Sequence, residues 1–167
     1  SIDSLNTSFF ETITAIAAWY FARKKVDIAI LETGLGGRLD SVTACNADLL
    51  VCTSISKDHQ HILGDSVEEI AYEKICALKK GMTCISWNHT SSIKDIFKEY
   101  SQSVNAKIKY VKSNIDEKNV SLNGSHQFDN ETLAKAAIKE LVDFNVSTTN
   151  IKKGLSTVIW PGRIQKI

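Results

Sequence analysis

The chain has 167 residues, 43% of them hydrophobic and 23% charged, with a formal net charge of +1. Those figures fit about one globular domain able to bury a core. They remove the electrostatic case for nucleic acid or an anionic membrane as a partner. No apolar run approaches the ~20 residues of a bilayer span, and the polar amino end lacks a signal-peptide layout. Cys45, Cys52, Cys76 and Cys84 form no C-x-x-C pair. They are expected to be reduced, mostly buried small hydrophobes of a cytosolic chain rather than a zinc site.

In chain order, Ser8 and Glu11 make a capping box, and Phe9, Ile13, Ile16, Ala17 and Tyr20 recur at helical spacing. The spacing predicts an amphipathic helix over 9–24, its aromatic stripe packed on a sheet. Val26, Ile28, Ala29, Ile30 and Leu31 then read as a strand buried on both faces, as in parallel sheets covered by helices. Glu32 falls at the carboxyl end of that strand, the edge where open α/β sheets bind ligands, so it is placed to hold a metal ion that in turn holds phosphate. Gly34, Gly36 and Gly37 follow and allow the close backbone approach that suits a loop against a ligand. On spacing alone a plain glycine-rich turn is the commoner reading. The loop has neither the G-x-x-x-x-G-K-[ST] of a phosphate loop nor the spacing of a dinucleotide fingerprint.

Residues 38–47 read as a loop without helical period, 48–53 as a second buried strand and 54–64 as a polar loop. Ser66 and Glu69 form a second capping box, predicting a helix to about Lys79 that Gly81 stops. Ile70, Ala71, Ala77 and Leu78 form its inner face, with Lys74 on the same side by i, i+4 spacing and drawn toward the sheet edge. A strand is predicted at 83–87, a helix over 91–100 with Ile93, Ile96, Phe97 and Tyr100 inward, and a strand at 106–111. The polar interval 112–125 has room for one short edge strand at 120–122. The longest helix is expected over 126–144 and a short one over 149–155. Pro161 and Gly162 then mark a turn and a domain boundary. Alternating strands and helices imply βα units and a mostly parallel sheet. The chain opens on Ser1 and stops at Ile167 within a stretch that reads as a strand, the pattern expected of a piece of a longer protein.

The blocks LETGLGGRLD, TSISKDHQHILGDSVEEIAYEKICALKKG, HQFDN and WPGRIQ, in this order, resemble the central region of the folylpolyglutamate and dihydrofolate synthases, a branch of the Mur ligase superfamily. The resemblance implies an α/β fold: a P-loop-type three-layer α/β/α domain with a mostly parallel sheet, incomplete because its amino-terminal strands and phosphate loop lie upstream. Residues 1–159 would be the carboxyl-terminal part of the central ATPase domain. Residues 160–167 would be the junction and first strand of the glutamate-ligase domain.

Site residues follow from the same resemblance. Glu32 and His59 match the glutamate and histidine that help coordinate magnesium at the nucleotide phosphates. Lys74 matches a lysine that carbon dioxide carbamylates, making Lys74, His59 and Glu32 the catalytic set. Carbamylation requires a neutral amine, which partial burial favours. Arg38 and Asp40 close the glycine loop, and Asp40 matches an aspartate that contacts the pterin ring. Asn130 matches the adenine contact and Arg163 a phosphate contact. Blander readings stand beside each: a solvated acid for Glu32, a loop histidine bonded to Asp58 for His59, a snorkelling lysine for Lys74, an Asx turn for Asp40, a helix-start polar residue for Asn130 and a surface cation for Arg163. This chain departs from the family pattern at Ser41-Val42-Thr43, at Ile75-Cys76 and at Glu131.

The implied activity is an ATP-dependent ligase that joins glutamate to a folate or to dihydropteroate through an acyl phosphate. Its cofactors would be ATP and Mg2+ at two sites, and its partners folate or dihydropteroate, L-glutamate and ATP. A cytoplasmic monomer is expected at full length, with the present 167 residues inactive alone. The alternatives are another Mur-type amide ligase, acting on a cell-wall precursor or cyanophycin, and a non-catalytic nucleotide-binding module.

Overall fold

The computed structural model describes residues 6–112 and 119–161, and in it three strands form one parallel sheet in the order β1, β2, β3. These are β1 (Leu49–Cys52), β2 (Thr83–Trp87) and β3 (Lys107–Val111). The register aligns Leu50 with Cys84 and Ile108, and Cys52 with Ser86 and Tyr110. Strand side chains alternate, so these six share one face.

Two helices cover that face, α3 (Val67–Ile75) and α4 (Ser91–Ser103), each linking one parallel strand to the next. Their contact with the sheet is the core: Cys52, Ala71, Ile75, Leu78, Met82, Cys84, Ile93 and Phe97. The other face meets α5 (His126–Glu140), which touches all three strands and receives Lys109 Nζ on Glu140 at 2.7 Å. The expected three-layer α/β/α arrangement with a parallel sheet is therefore present, along with a one-turn helix α2 (Gln60–Leu63) and a peripheral α6 (Thr148–Thr157). No described helix is long and apolar enough to cross a membrane.

The capping boxes fix the starts of two helices. Ser8 and Glu11 exchange both bonds at α1 (Phe9–Lys24), and Ser66 and Glu69 do so at α3. Helix ends are harder to read. α3 stops at Ile75, four residues before the expected Lys79, because Ala77 and Leu78 bond back three residues, to Lys74 and Ile75, and tighten the chain toward β2. α5 ends at Glu140 rather than Phe144, and Val142 beyond it is 86% exposed, so no buried face remains to extend it. α4 runs on to Ser103. The loop 38–47 contains a 3-10 turn at Ser41–Cys45, and α2 lies inside the expected loop 54–64. The edge strand at 120–122 does not form. Ser121 instead donates its amide to Leu155 O and its hydroxyl to Val158 O, turning the segment toward α6.

Two expectations at the amino end are overturned. The stripe on α1 is not core: Phe9 is 82% exposed and Ile13, Ile16 and Tyr20 are also exposed. The helix leans on the Ser41–Cys45 turn rather than on the sheet. Residues 26–31 are not a strand, and Ile30 is 91% exposed. A strand is a relation between two edges, and among the described residues no partner strand lies along 26–31.

Candidate functional site

The glycine-rich loop is seated on α3. Gly36 has φ +63, and a β-carbon on it would meet Leu63 at 2.8 Å. A β-carbon on Gly37 would lie 2.8 Å from the Lys74 carbonyl and 3.0 Å from that of Glu73. Glycine is thus required for the loop to touch the helix backbone. Arg38 completes the joint: its amide donates to Glu73 O and its Nε to Glu73 Oε1, both at 2.9 Å. Asp40 closes the loop, accepting from Leu35 N on Oδ2 at 2.8 Å and from Val42 N on Oδ1 at 2.9 Å. That is the Asx turn, and a carboxylate so used still has lone pairs for a ligand. Arg38 and Asp40 line one open depression of about 900 Å3 with Thr43, Lys79, Tyr100 and Asn105. Since Lys79 and Asn105 precede β2 and β3, this depression lies toward the amino edge of the sheet.

A second group, Lys74 and His59, lies on the elements that follow β1. Lys74 is the penultimate residue of α3, and helical side chains lean toward the helix amino end. Its charge is felt at Cys52, the last residue of β1. Burial pushes the Cys52 thiol up to about 11, with Lys74 and the Ser86 hydroxyl pulling the other way. His59 follows β1 in the chain, exposed, with φ 51 at the start of α2. Its amide donates to Asp58 Oδ1 at 2.8 Å, and its Nε2 lies 3.7 Å from Asp58 Oδ2. Glu32 is exposed on the segment that pairs with no described strand, so the sheet does not set it opposite His59.

Among the described residues no three of His, Cys, Asp and Glu converge on one point. Glu32 and His59 thus belong to no ready-made protein cage, and magnesium, which keeps waters and substrate phosphates around one or two protein groups, requires none.

The third group opens α5. Asn130 is exposed, its Nδ2 donating to Gln127 Oε1 at 3.2 Å, while Gln127 is buried against the His126 ring. Arg163 lies outside the described residues. The residue that sequence reasoning passed over as a mere departure is Glu131, which is 4% exposed. Its carboxylate accepts from Asn119 N, Asn119 Nδ2 and Val120 N at 2.9–3.1 Å and from Lys135 Nζ at 2.6 Å. Burial pushes its pKa up, but the bonds from Lys135, Asn119 and Val120 outweigh that and hold it at about 2. The i, i+4 spacing of Glu131 and Lys135 was the available signal.

With these three groups in place, similarity to known proteins becomes informative. No family model matches the sequence. A Bacillus subtilis (strain 168) protein named dihydrofolate synthase/folylpolyglutamate synthase is 34% identical over 185 residues, covering 95% of this chain and 43% of the relative. The chain is a homologue of the folylpolyglutamate and dihydrofolate synthases. The apo form of the L. casei folylpolyglutamate synthase superposes with a TM-score of 0.86 at 26% identity, over 97% of this chain and 46% of that one. A folylpolyglutamate synthase complex with AMPPCP and folate gives 0.85 at 26% identity, with the same coverage. The chain thus spans less than half the length of these homologues, and its fold is theirs over nearly all its own length.

Proposed function

We propose that this chain is the carboxyl-terminal part of the ATPase domain of a cytoplasmic, monomeric ligase that joins L-glutamate to dihydropteroate or a folate. In this reading ATP phosphorylates the acceptor carboxylate, and the glutamate amine attacks the acyl phosphate and expels inorganic phosphate. The observation that carries it is the seat of the glycine loop, which ties the loop bearing Arg38 and Asp40 to the helix bearing Lys74 with no room for a β-carbon at Gly37. Homologues that bind an ATP analogue and folate support the substrate classes.

Each group then has a task. Asp40, held by two backbone amides, offers its remaining lone pairs to the pterin's paired donors, and Arg38 steadies the loop. Asn130 presents an amide donor and acceptor to adenine, and Arg163 a guanidinium fork to phosphate. Lys74 is the residue to be carbamylated, adding an anion. Glu32 and His59 would hold magnesium carried in with the nucleotide, which when bound neutralises phosphate charge.

The test uses the complete ligase. Asp40→Asn should weaken dihydropteroate binding about tenfold, the effect of one lost charge-assisted hydrogen bond, with the KM for ATP unchanged. Unchanged pterin affinity, or preference for a cell-wall precursor over dihydropteroate, overturns the substrate assignment. The isolated 167 residues should show no ligase turnover.

A further inference from the structure

Glu131 follows Asn130 directly, so the backbone that presents Asn130 is the backbone that holds this buried carboxylate. A solvent-exposed i, i+4 pair with Lys135 would contribute only ~0.3–0.5 kcal/mol and fix nothing. Here the carboxylate is buried and takes three further N–H donors from residues 119 and 120, eleven and twelve positions upstream. Breaking a buried charge cluster of this kind strands its donors as well as itself. The next residue, Ser121, is bonded to Leu155 and Val158 at the end of α6. Glu131 and Ser121 together thus join three pieces that share no ladder: Glu131 ties 119–120 to the opening turns of α5, and Ser121 ties the same segment to the end of α6.

The neighbouring polar groups make that placement consequential. Gln127, one turn before Glu131, is buried and takes the Asn130 amide on its Oε1. Asn130 is therefore oriented from one side by Gln127, and the helix turn carrying both is fixed from the other by Glu131. Groups that contact a ligand keep their geometry only when the layer behind them is locked.

We infer that Glu131 is a positioning residue for the adenine-contacting edge of the nucleotide site, clamping 119–120 onto α5 so that Asn130 is presented in one orientation. The inference rests on the reading of Asn130 as the adenine contact. It assigns the carboxylate no contact with nucleotide.

Two readouts test it. In the nucleotide-free chain, the Asn130 side-chain amide signals, followed by NMR, should shift in both Glu131→Ala and Glu131→Gln. The glutamine keeps one acceptor oxygen but turns an NH2 toward the backbone donors of 119 and 120, so it should be intermediate and folded even where the alanine variant is not. Unmoved signals in Glu131→Gln overturn the inference whether or not nucleotide binds. In the complete ligase, Glu131→Gln should raise the dissociation constant for AMPPCP severalfold and Glu131→Ala about tenfold, with kcat at saturating ATP retained. If Asn130→Ala leaves AMPPCP affinity unchanged, the adenine reading itself fails. If Asn130→Ala weakens binding while the Glu131 variants lower only the thermal midpoint, Glu131 is structural and the inference alone fails.

Discussion

Residues 49–111 and residues 9–31 carry the same kind of signal, apolar side chains at regular spacing, and the two regions end in opposite states. Ile70 and Phe97 are fully buried between α3, α4 and the sheet, whereas Phe9 is 82% and Ile30 91% exposed. Periodicity describes one surface, and burial needs two. In the body, each βαβ crossover delivers a helix to the strand it covers, so the second surface is supplied by the next few residues in the chain. The amino-terminal arm has no such local supplier among the described residues. Substitution should expose the contrast most strongly in the core. Phe97→Ala should cost ~3–5 kcal/mol in urea unfolding, the range for a fully buried aromatic, and Phe9→Ala less than ~0.5 kcal/mol, as for an exposed site. Equal costs would mean that the arm is packed after all.

Outside both regions, α5 carries a buried carboxylate with four donors on it, and acid should find it. Glu131 has a folded pKa of about 2 against an ordinary 4.5. A depressed carboxyl pKa means that the unfolded state binds the proton more readily, so the clamp's contribution is complete above pH 4.5 and is lost as pH falls toward 2. Its size is on the order of a few kcal/mol. Unfolding free energy followed from pH 6 to about pH 2 should therefore fall more steeply in the parent chain than in Glu131→Gln. Parallel profiles would show that the carboxylate contributes nothing that a neutral amide cannot.

The same contrast explains what could be read from sequence. The strand at Thr83–Trp87 matches its expected bounds because Cys84, Ile85 and Trp87 give it an apolar run and because it pairs with β1 before it and β3 after it. Ser8 with Glu11 and Ser66 with Glu69 fixed helix starts because a capping box is a local interaction, complete within four residues. Residues 26–31 had every local mark of a buried strand, but strand status depends on a partner edge that local pattern does not contain. In the candidate site, the loop closure at Asp40 was legible as an Asx turn, since its partners lie within five residues. The seat of Gly37 on the Lys74 carbonyl was not, nor were the bonds that Asn119 donates to Glu131. Both span stretches of chain that only the fold brings together.

The joint between arm and body is where the two behaviours meet, and it should yield intermediate effects. Gly37→Ala places a methyl 2.8 Å from one helix carbonyl and 3.0 Å from another, both of them backbone atoms that cannot swing aside. The loop must lift from α3, at ~1–3 kcal/mol. Hydrogen exchange at the Arg38 amide, which donates to Glu73 O, should accelerate while amides of β2 keep their protection. Loss of protection throughout the sheet would instead make the loop part of the cooperative core.

The smallest effect is expected at the most conspicuous contact of that joint, the ion pair between Arg38 and Glu73 at 2.9 Å. The Glu73 carboxylate shifts the Arg38 pKa upward, chiefly through this hydrogen bond. Yet the arginine side chain is 47% exposed, and water and salt screen what the pair gains. A double-mutant cycle of Arg38→Ala and Glu73→Ala should give a small coupling, within the range of exposed surface pairs, that shrinks as salt rises. Glycine and backbone contact then hold the loop, and the ion pair only trims its position. A salt-insensitive coupling well above that range would reverse the order: charge would be the fastener, and the loss of room at Gly37 a consequence of how tightly Arg38 draws the loop in.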